Sequence, residues 1–521
     1  MNRTQNSSFN LFVSLFAQVV QIVLKFATRT LFIRTLGSAF LGVNGLFTDI
    51  LALLSITELG FDTAINFKLY KPISEKDYHR LSALMKFYRN IYIVVSFSVF
   101  VLGLSITPFL RFLISDYDSL AEIGLNAILV YFLYLAQSVL SYLFWAYRAS
   151  LVRAAQKSFI LDGVNIGTVI ASNVCQIVVL LLFRSFYLYL LILVFFTIVT
   201  NVINSAIAKK MFPLVFCKES SQDVISKEES KEVFKDCGAT FLYKVNGVVT
   251  RATDNLVISS FIGIVTVGLY SNYTMISTTI NTILNKFFEA CKASMGDAYA
   301  TLDKERSYFY FEVMNFFTVI LYGTAFMGMA IVGNAFIKVW LGQEYLLASI
   351  IPVLLGIVLF FNGIKNNLGQ IRNISGAFRQ MWYRPLLGIV INLVVSIVLV
   401  RFIGIAGVLL GTILSAILTN FLVDPVVIHK YSYSGAYSVW RYYRTNLFYM
   451  GLLAGLYFLI SFSIKSLPID NDWVILIISF FSCLIVPPLT FVLLFWHRKE
   501  CTYLRQKAKD LFFVLKKRIR R

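Results

Sequence analysis

The chain alternates long apolar runs with short polar breaks. The runs recur from residue 9 to residue 496, and about 20 apolar residues are enough to cross a hydrocarbon core roughly 30 Å thick. Fourteen spans can be marked, at 9–35, 42–70, 90–111, 120–146, 159–183, 186–208, 239–262, 267–293, 310–333, 348–371, 385–401, 406–428, 446–464 and 473–496. The pattern predicts an all-α membrane protein of about 14 transmembrane helices. The longest polar stretch lies between Lys209 and Cys237 and is too short for a soluble domain. The first run follows a nearly uncharged leader and lacks a small-residue cleavage site, so it is expected to be a retained helix.

The polar breaks differ in charge from one side to the other. An even number of spans puts both termini on one side, and that side holds 33 of the 47 Lys and Arg residues. The other side holds six: Arg34, Arg111, Arg184, Lys338, Arg401 and Lys465. Its breaks are short and partly acidic, as in Ser115-Asp116-Tyr117-Asp118 and Pro468-Ile469-Asp470-Asn471-Asp472. Basic loops stay cytoplasmic, so both termini and the 209–238 segment are expected on the cytoplasmic side.

Eight cations fall within spans: Lys25, Arg29, Lys68, Lys244, Arg251, Lys286, Lys292 and Lys365. Two of them sit in a duplicated unit. Lys25 leads to Gly37 and Gly42, and Arg251 leads to Gly263 and Gly268. In both copies twelve residues separate the cation from the first glycine and five more reach the second. The repeat implies two six-helix lobes of the same orientation, related by an axis along the membrane normal. The expected organisation is an N-terminal lobe at 1–208, a cytoplasmic linker at 209–238 and a C-terminal lobe at 239–430. Helices 13 and 14 follow at 431–496, then a basic tail at 497–521. In that tail Leu504, Ala508, Leu511, Phe512, Leu515 and Ile519 recur at helical spacing opposite Lys507, Lys509, Lys516, Lys517 and Arg518. Such a helix suits a surface of anionic membrane lipids.

With the outer turn near Gly37, Lys25 lies about 18 Å inward and Arg29 about 12 Å, at 1.5 Å per residue. Arg251 lies about 18 Å below Gly263 by the same arithmetic. A charge at such depth costs at least about 2.5 kcal/mol unless it meets a partner or a wet cavity. Gln18, Gln21, Lys25 and Arg29 share one helical face, and Lys244, Gly247, Arg251 and Asn255 form the corresponding stripe. Two such stripes would line a positively charged cleft between the lobes, to which Lys365 is a further candidate contributor. Lys and Arg there would hold phosphate oxygens by charge-assisted hydrogen bonds. A structural ion pair is the competing reading for Lys25 and Arg251, and Arg29 could instead meet a wet pocket or Asp49. Arg34 is expected to snorkel to the headgroups, and Lys286, Lys292 and Arg372 are near enough to inner ends to do the same. Among the acids, Glu58 and Asp62 share a face, Asp254 lies near Arg251, and Glu289 sits between Lys286 and Lys292. They are candidates for ion pairing, gating or ion coupling.

Composition narrows the classes further. Of 521 residues, 58% are hydrophobic and 14% charged, with a mean hydropathy of +0.74, whereas a soluble domain carries about 25% charged residues. The net charge of +20 is then a topology signal, and nucleic-acid binding is not expected. The six cysteines, Cys175, Cys217, Cys237, Cys291, Cys483 and Cys501, have no zinc or disulfide spacing. His79, His429 and His497 fall at expected loop positions, where solvated side chains beside headgroups are the ordinary outcome. No metal, cofactor or catalytic residue is expected.

The stretch Arg29-Thr30-Leu31-Phe32-Ile33-Arg34-Thr35-Leu36-Gly37, followed by Leu41-Gly42-Val43-Asn44-Gly45-Leu46-Phe47, resembles the first helical hairpin of the polysaccharide-repeat (Wzx-type) flippases. Thr57-Glu58-Leu59-Gly60-Phe61, and Ala64-Ile65 through Leu69-Tyr70-Lys71-Pro72, are similar to the next segment of that family. Over the whole chain the fourteen-span pattern resembles the multidrug/oligosaccharidyl-lipid/polysaccharide superfamily. The resemblance implies a flippase, not an enzyme. It would move an undecaprenyl-diphosphate-linked oligosaccharide to the outer leaflet for capsule, exopolysaccharide or related polysaccharide synthesis, by alternating access around a cationic cavity. The pathway's polymerase and glycosyltransferases would be its partners. A drug or cation antiporter of the same superfamily predicts an acidic cavity instead. A membrane polymerase or glycosyltransferase predicts a large outer loop with catalytic residues, such as an Asp-x-Asp pair, and no outer loop here exceeds about fifteen residues by the span assignment.

Overall fold

Glycine breaks the first predicted span from the second, and the seventh from the eighth. In the computed structural model Gly37 has φ 92° and Gly263 has φ 135°, backbone that favours a residue without a Cβ. The helices on either side therefore stop and restart within one to two residues. The structure describes residues 3–519 apart from 59–60, 217–226, 302, 378–379, 434 and 436. Side chains are described except at 3–17, 57–64, 67, 227–240, 289–298, 300 and 510–519.

The principal helices in chain order are α1 (Arg3–Leu36), α2 (Ser38–Leu54), α3 (Phe61–Glu75), α4 (Tyr78–Ile106), α5 (Ala127–Leu143), α6 (Ser158–Leu182), α7 (Phe186–Met211), α8 (Lys227–Phe261) and α9 (Ile264–Thr301). They continue with α10 (Lys304–Met327), α11 (Ile350–Ser375), α12 (Arg384–Ile403), α13 (Ile405–Ala416), α14 (Val423–Tyr431), α15 (Val439–Lys465), α16 (Asp472–Leu494) and α17 (Lys499–Ile519). Among the described residues nine helices are long and apolar enough to cross a membrane, or ten if Ala127–Leu143 and Ala146–Ala154, bent by 45°, form one span. The other predicted spans fall on α1, α2 with α3, α8 and α9. The protein is an all-α, multi-pass membrane protein. Side-chain caps mark where several helices begin: Asp77, Asn126, Asp303 and Asn471 each accept a backbone N–H of the first turn.

Predicted boundaries shift where the chain departs from simple spans. Span 2 is divided by a 3-10 turn at Ser55–Glu58. Span 4 begins at Ala127, because Gly124 at φ 73° ends the short Ser119–Glu122 helix first. The α8 helix starts at Lys227, twelve residues before the apolar run, since Lys- and Glu-rich sequence is also a good helix former.

Residues Met1–Gly268 and Leu269–Arg521 form two compact units. This packing division falls one helix beyond the 209–238 segment. Within the first unit α8 packs along α2, α1 along α6, and α7 against α5 and α6. Within the second, α12 pairs with α13, and α11 lies between α10 and α13. There α10 also carries α16 and α17.

The two copies of the glycine motif meet inside the first unit. A Cβ on Gly42 would collide with the carbonyl of Ile264, and a Cβ on Gly268 with the carbonyl of Ser38. Ser38 and Ile264, like Gly42 and Gly268, are 226 residues apart. Each contact is therefore the image of the other under the repeat, as at a two-fold interface.

Two readings of the sequence are corrected in the second unit. Arg372 does not snorkel. It is buried, and its Nη1 donates to Asp424 Oδ2 at 3.1 Å. Arg384 approaches the other oxygen of Asp424 at 2.9 Å. His429 is not a solvated loop residue. It is 1% exposed in α14, where Nδ1 donates to the Pro425 carbonyl at 2.7 Å and Nε2 lies 3.3 Å from the Tyr308 hydroxyl. Both residues lie at span ends, where sequence alone does not separate a loop from the last buried turn.

Candidate functional site

The first unit carries a strip of polar groups across its otherwise apolar helices. On α1, Gln21 and Arg29 are half-buried and Lys25 is exposed. One residue before Arg29, Thr28 turns the other way, and its hydroxyl donates to Asn173 Oδ1 of α6 at 2.9 Å. Arg29 is the electrostatic neighbour of Lys25 on its own helix and of Tyr189 on α7. The Tyr189 ring is held by Phe32 and Phe186, 5.1 and 6.2 Å away between centroids. Tyr189 in turn neighbours Tyr134 of α5, whose hydroxyl donates to Asn44 Oδ1 of α2. The strip therefore crosses four helices.

Asp49 lies further along α2. Its Oδ2 accepts from Asn255 Nδ2 of α8 at 2.5 Å, and Arg251, one turn earlier on α8, is its electrostatic neighbour. The buried Oδ1 of Asn255 makes no hydrogen bond. Arg251 is exposed, while Lys244 and Asp254 are half-buried and have partners of their own. Among the described residues neither Lys25 nor Arg251 forms an ion pair. The structure thus shows two exposed cations, Lys25 on α1 and Arg251 on α8, each beside a separate set of polar groups: Arg29 and Tyr189 for the first, Asp49 and Asn255 for the second.

Sequence periodicity finds the cations and Asn255. It misses Asn44, Tyr134, Asn173 and Tyr189, because a tyrosine or asparagine among apolar residues looks like ordinary core until its partner on another helix is known. The side chains of Glu58, Asp62 and Glu289 lie outside the described residues.

A second polar cluster is built in the second unit. Asn366 of α11 donates to Asn285 Oδ1 of α9 at 2.5 Å and to the Tyr322 hydroxyl of α10 at 3.1 Å. Tyr322 donates to Asn285 at 3.0 Å and to Asn281 at 3.2 Å. Gly363 permits this, since a Cβ there would strike the Tyr322 ring. Half-buried Lys365, with a partner of its own, is the residue before Asn366. The arrangement offers neutral hydrogen bonds rather than charge. Among the described residues no group of three or more His, Cys, Asp or Glu side chains could hold a metal ion.

No protein-family model and no curated protein matches the chain. Solved structures do resemble it. The lipid II flippase MurJ in an inward closed conformation superposes with a TM-score of 0.64 at 14% identity, over 93% of this chain and 99% of that one. An inward-facing multidrug resistance MATE family transporter of the MOP superfamily gives 0.56 at 13% identity, over 80% and 96%. The Vibrio cholerae MATE transporter VcmN in its bent form gives 0.50 at 14% identity, over 83% and 99%. Near-complete coverage of each neighbour means that the fold is shared over the length of those chains, not over one hairpin.

Proposed function

We propose that the protein is a flippase carrying an undecaprenyl-diphosphate-linked oligosaccharide repeat unit from the inner to the outer leaflet, for capsule, exopolysaccharide or a related surface polysaccharide. The observation that carries this reading is the state of Lys25 and Arg251. They lie about 18 Å below the outer helix breaks, at 1.5 Å per residue, and they are exposed without an ion pair among the described residues. Cations at that depth are stable against water or an anionic ligand, not against lipid tails. A diphosphate supplies the anion, and Arg251 can hold two of its oxygens at once.

The neighbouring groups suit the rest of such a substrate. The unsatisfied Oδ1 of Asn255 can accept a sugar hydroxyl, and Gln21 and Tyr189 can exchange hydrogen bonds along the same strip. Asp49, held by Asn255, balances part of the local positive charge before the ligand arrives. On the topology set by the basic loops, the reciprocal Gly42–Gly268 contact lies at the outer ends of its helices. It is the closure that must part for release outward. Glu58, Asp62, Asp254 and Glu289 remain the candidates for coupling or gating. The polymerase and glycosyltransferases of the pathway are the partners this role requires.

An antiporter of cationic drugs fits the strip poorly, because Lys25, Arg29 and Arg251 would repel a cation, with Asp49 and Asp254 the acids that oppose them among the described residues. Proteoliposomes separate the readings. With a fluorescent undecaprenyl-diphosphate oligosaccharide in both leaflets, protein-dependent access of a membrane-impermeant quencher to the inner-leaflet half supports the flippase. Failure to flip it, together with uptake of a cationic dye, supports the antiporter.

A further inference from the structure

A pocket of about 510 Å³ opens in the second unit between the starts of α10, α15 and α17. It extends along α10 from Glu305 to Asn315, about 15 Å at 1.5 Å per residue. Three helices therefore direct their first turns toward one cavity, and α15 has no side-chain cap at its N-terminus. Unpaired backbone N–H groups there attract an anion. Four cations, Arg441, Arg444, Arg498 and Lys499, and three acids, Glu305, Glu312 and Glu500, line the pocket. Arg441 is committed to Glu312 at 3.0 Å, and Arg498 donates to the Tyr449 hydroxyl at 3.0 Å. Arg444 and Lys499 are exposed and hold no partner among the described residues.

The inner end of the pocket has a different character. Asn315 is 6% exposed and Tyr442 5% exposed. Asn315 Nδ2 donates to Asn446 Oδ1 at 3.2 Å, and Asn446 Nδ2 donates to the Tyr442 carbonyl at 2.9 Å. This leaves Asn315 Oδ1 and the Tyr442 hydroxyl buried with no hydrogen-bond partner. Buried polar groups are ordinarily satisfied, so two in one cavity mark a place built for a polar ligand.

We propose that this pocket binds a phosphate ester bearing a hydroxyl or amine, of the phosphoglycerol kind. Its phosphate sits between Arg444, Lys499 and the uncapped N-terminus of α15, and its donor reaches Asn315 Oδ1. The phosphate takes the Tyr442 hydroxyl or the free donors of Arg498. Neither the charge pairs nor the polar strip of the first unit needs this site, so it is an accessory site whose occupancy ties α17 and α15 to α10. The ligand's source is a lipid headgroup or a soluble phosphate ester.

The test uses the full chain in detergent, with native mass spectrometry to count retained lipid. Wild-type protein should retain one phosphatidylglycerol at least tenfold more tightly than phosphatidylcholine. The Arg444→Gln/Lys499→Gln variant should lose that preference, and Asn315→Leu should reduce it. Arg184→Gln/Lys465→Gln removes the same charge elsewhere and should leave it unchanged. Displacement by glycerol phosphate at micromolar concentration identifies a soluble ligand, and resistance to it identifies the lipid headgroup. Retention that is unchanged in Arg444→Gln/Lys499→Gln, or lost equally in the charge-matched control, overturns the site. So does failure of both phosphatidylglycerol and glycerol phosphate to bind. A melting temperature equal to wild type in both double variants confirms that they fold.

Discussion

Substitution of Asp424 by Asn should be among the most destabilising single changes in the second unit. The carboxylate is 0% exposed and touches two guanidiniums, Arg372 at 3.1 Å and Arg384 at 2.9 Å, whose side chains are 7% and 3% exposed. These residues come from α11, α12 and α14, so one acid fastens three helices at the same end. Asn keeps the shape but removes the charge, leaving two buried cations facing a neutral amide. Removing one partner of a buried pair costs about 3–5 kcal/mol, mostly from the charge left behind. Replacing all three by apolar residues, as in Arg372→Met/Arg384→Met/Asp424→Leu, should recover most of that loss, since no unpaired charge remains. Unfolding by SDS titration from mixed micelles measures both. A loss below about 0.5 kcal/mol in Asp424→Asn, the range of an ordinary surface change, would refute the reasoning. A triple variant no more stable than the single one would refute the attribution to stranded charge.

Gly42→Ala and Gly268→Ala should each prevent the close approach of α2 and α9, because the added methyl meets backbone that cannot rotate away. Surface polymer should fall at least tenfold in either variant, with protein level read by immunoblot; full export from both would mean that the contact is dispensable. Asn255→Leu should leave membrane insertion intact yet lower flipping in proteoliposomes, since it strips Asp49 of its hydrogen bond and the strip of its free acceptor. Flipping at the wild-type rate would remove Asn255 from the site. Single-cysteine labelling in intact cells should find position 220 protected and position 470 reactive, and the reverse pattern would invert the topology.

The all-helical architecture was legible because apolar length and basic-loop asymmetry are properties of each segment alone. Gly37 and Gly263 were legible as helix breaks for the same reason. The repeat offset matched Gly42 with Gly268, but sequence did not tell that the two copies touch there. What sequence could not supply was partnership across helices. Arg372 read as a snorkelling cation because Asp424, 52 residues later, carries no local mark of being its partner. His429 read as a loop residue because its burial depends on Tyr308 and the ring of aromatics around it. The same reason hid Asn44, Tyr134 and Tyr189 from the polar strip. Lys25 and Arg251 were found because a cation in an apolar run needs no partner to stand out.

The central claim is that Lys25 and Arg251 bind the diphosphate of a transported lipid-linked glycan. Proteoliposome flipping of the fluorescent undecaprenyl-diphosphate oligosaccharide by Lys25→Ala and Arg251→Ala tests it most directly, with Arg251→Lys and the Glu variants in parallel. The account predicts loss of flipping in both alanine variants at normal protein level and partial activity in Arg251→Lys, where charge survives without the bidentate fork. It predicts activity below the alanine variants for Lys25→Glu and Arg251→Glu, which set a like charge against the diphosphate. Wild-type flipping rates in both alanine variants would contradict it.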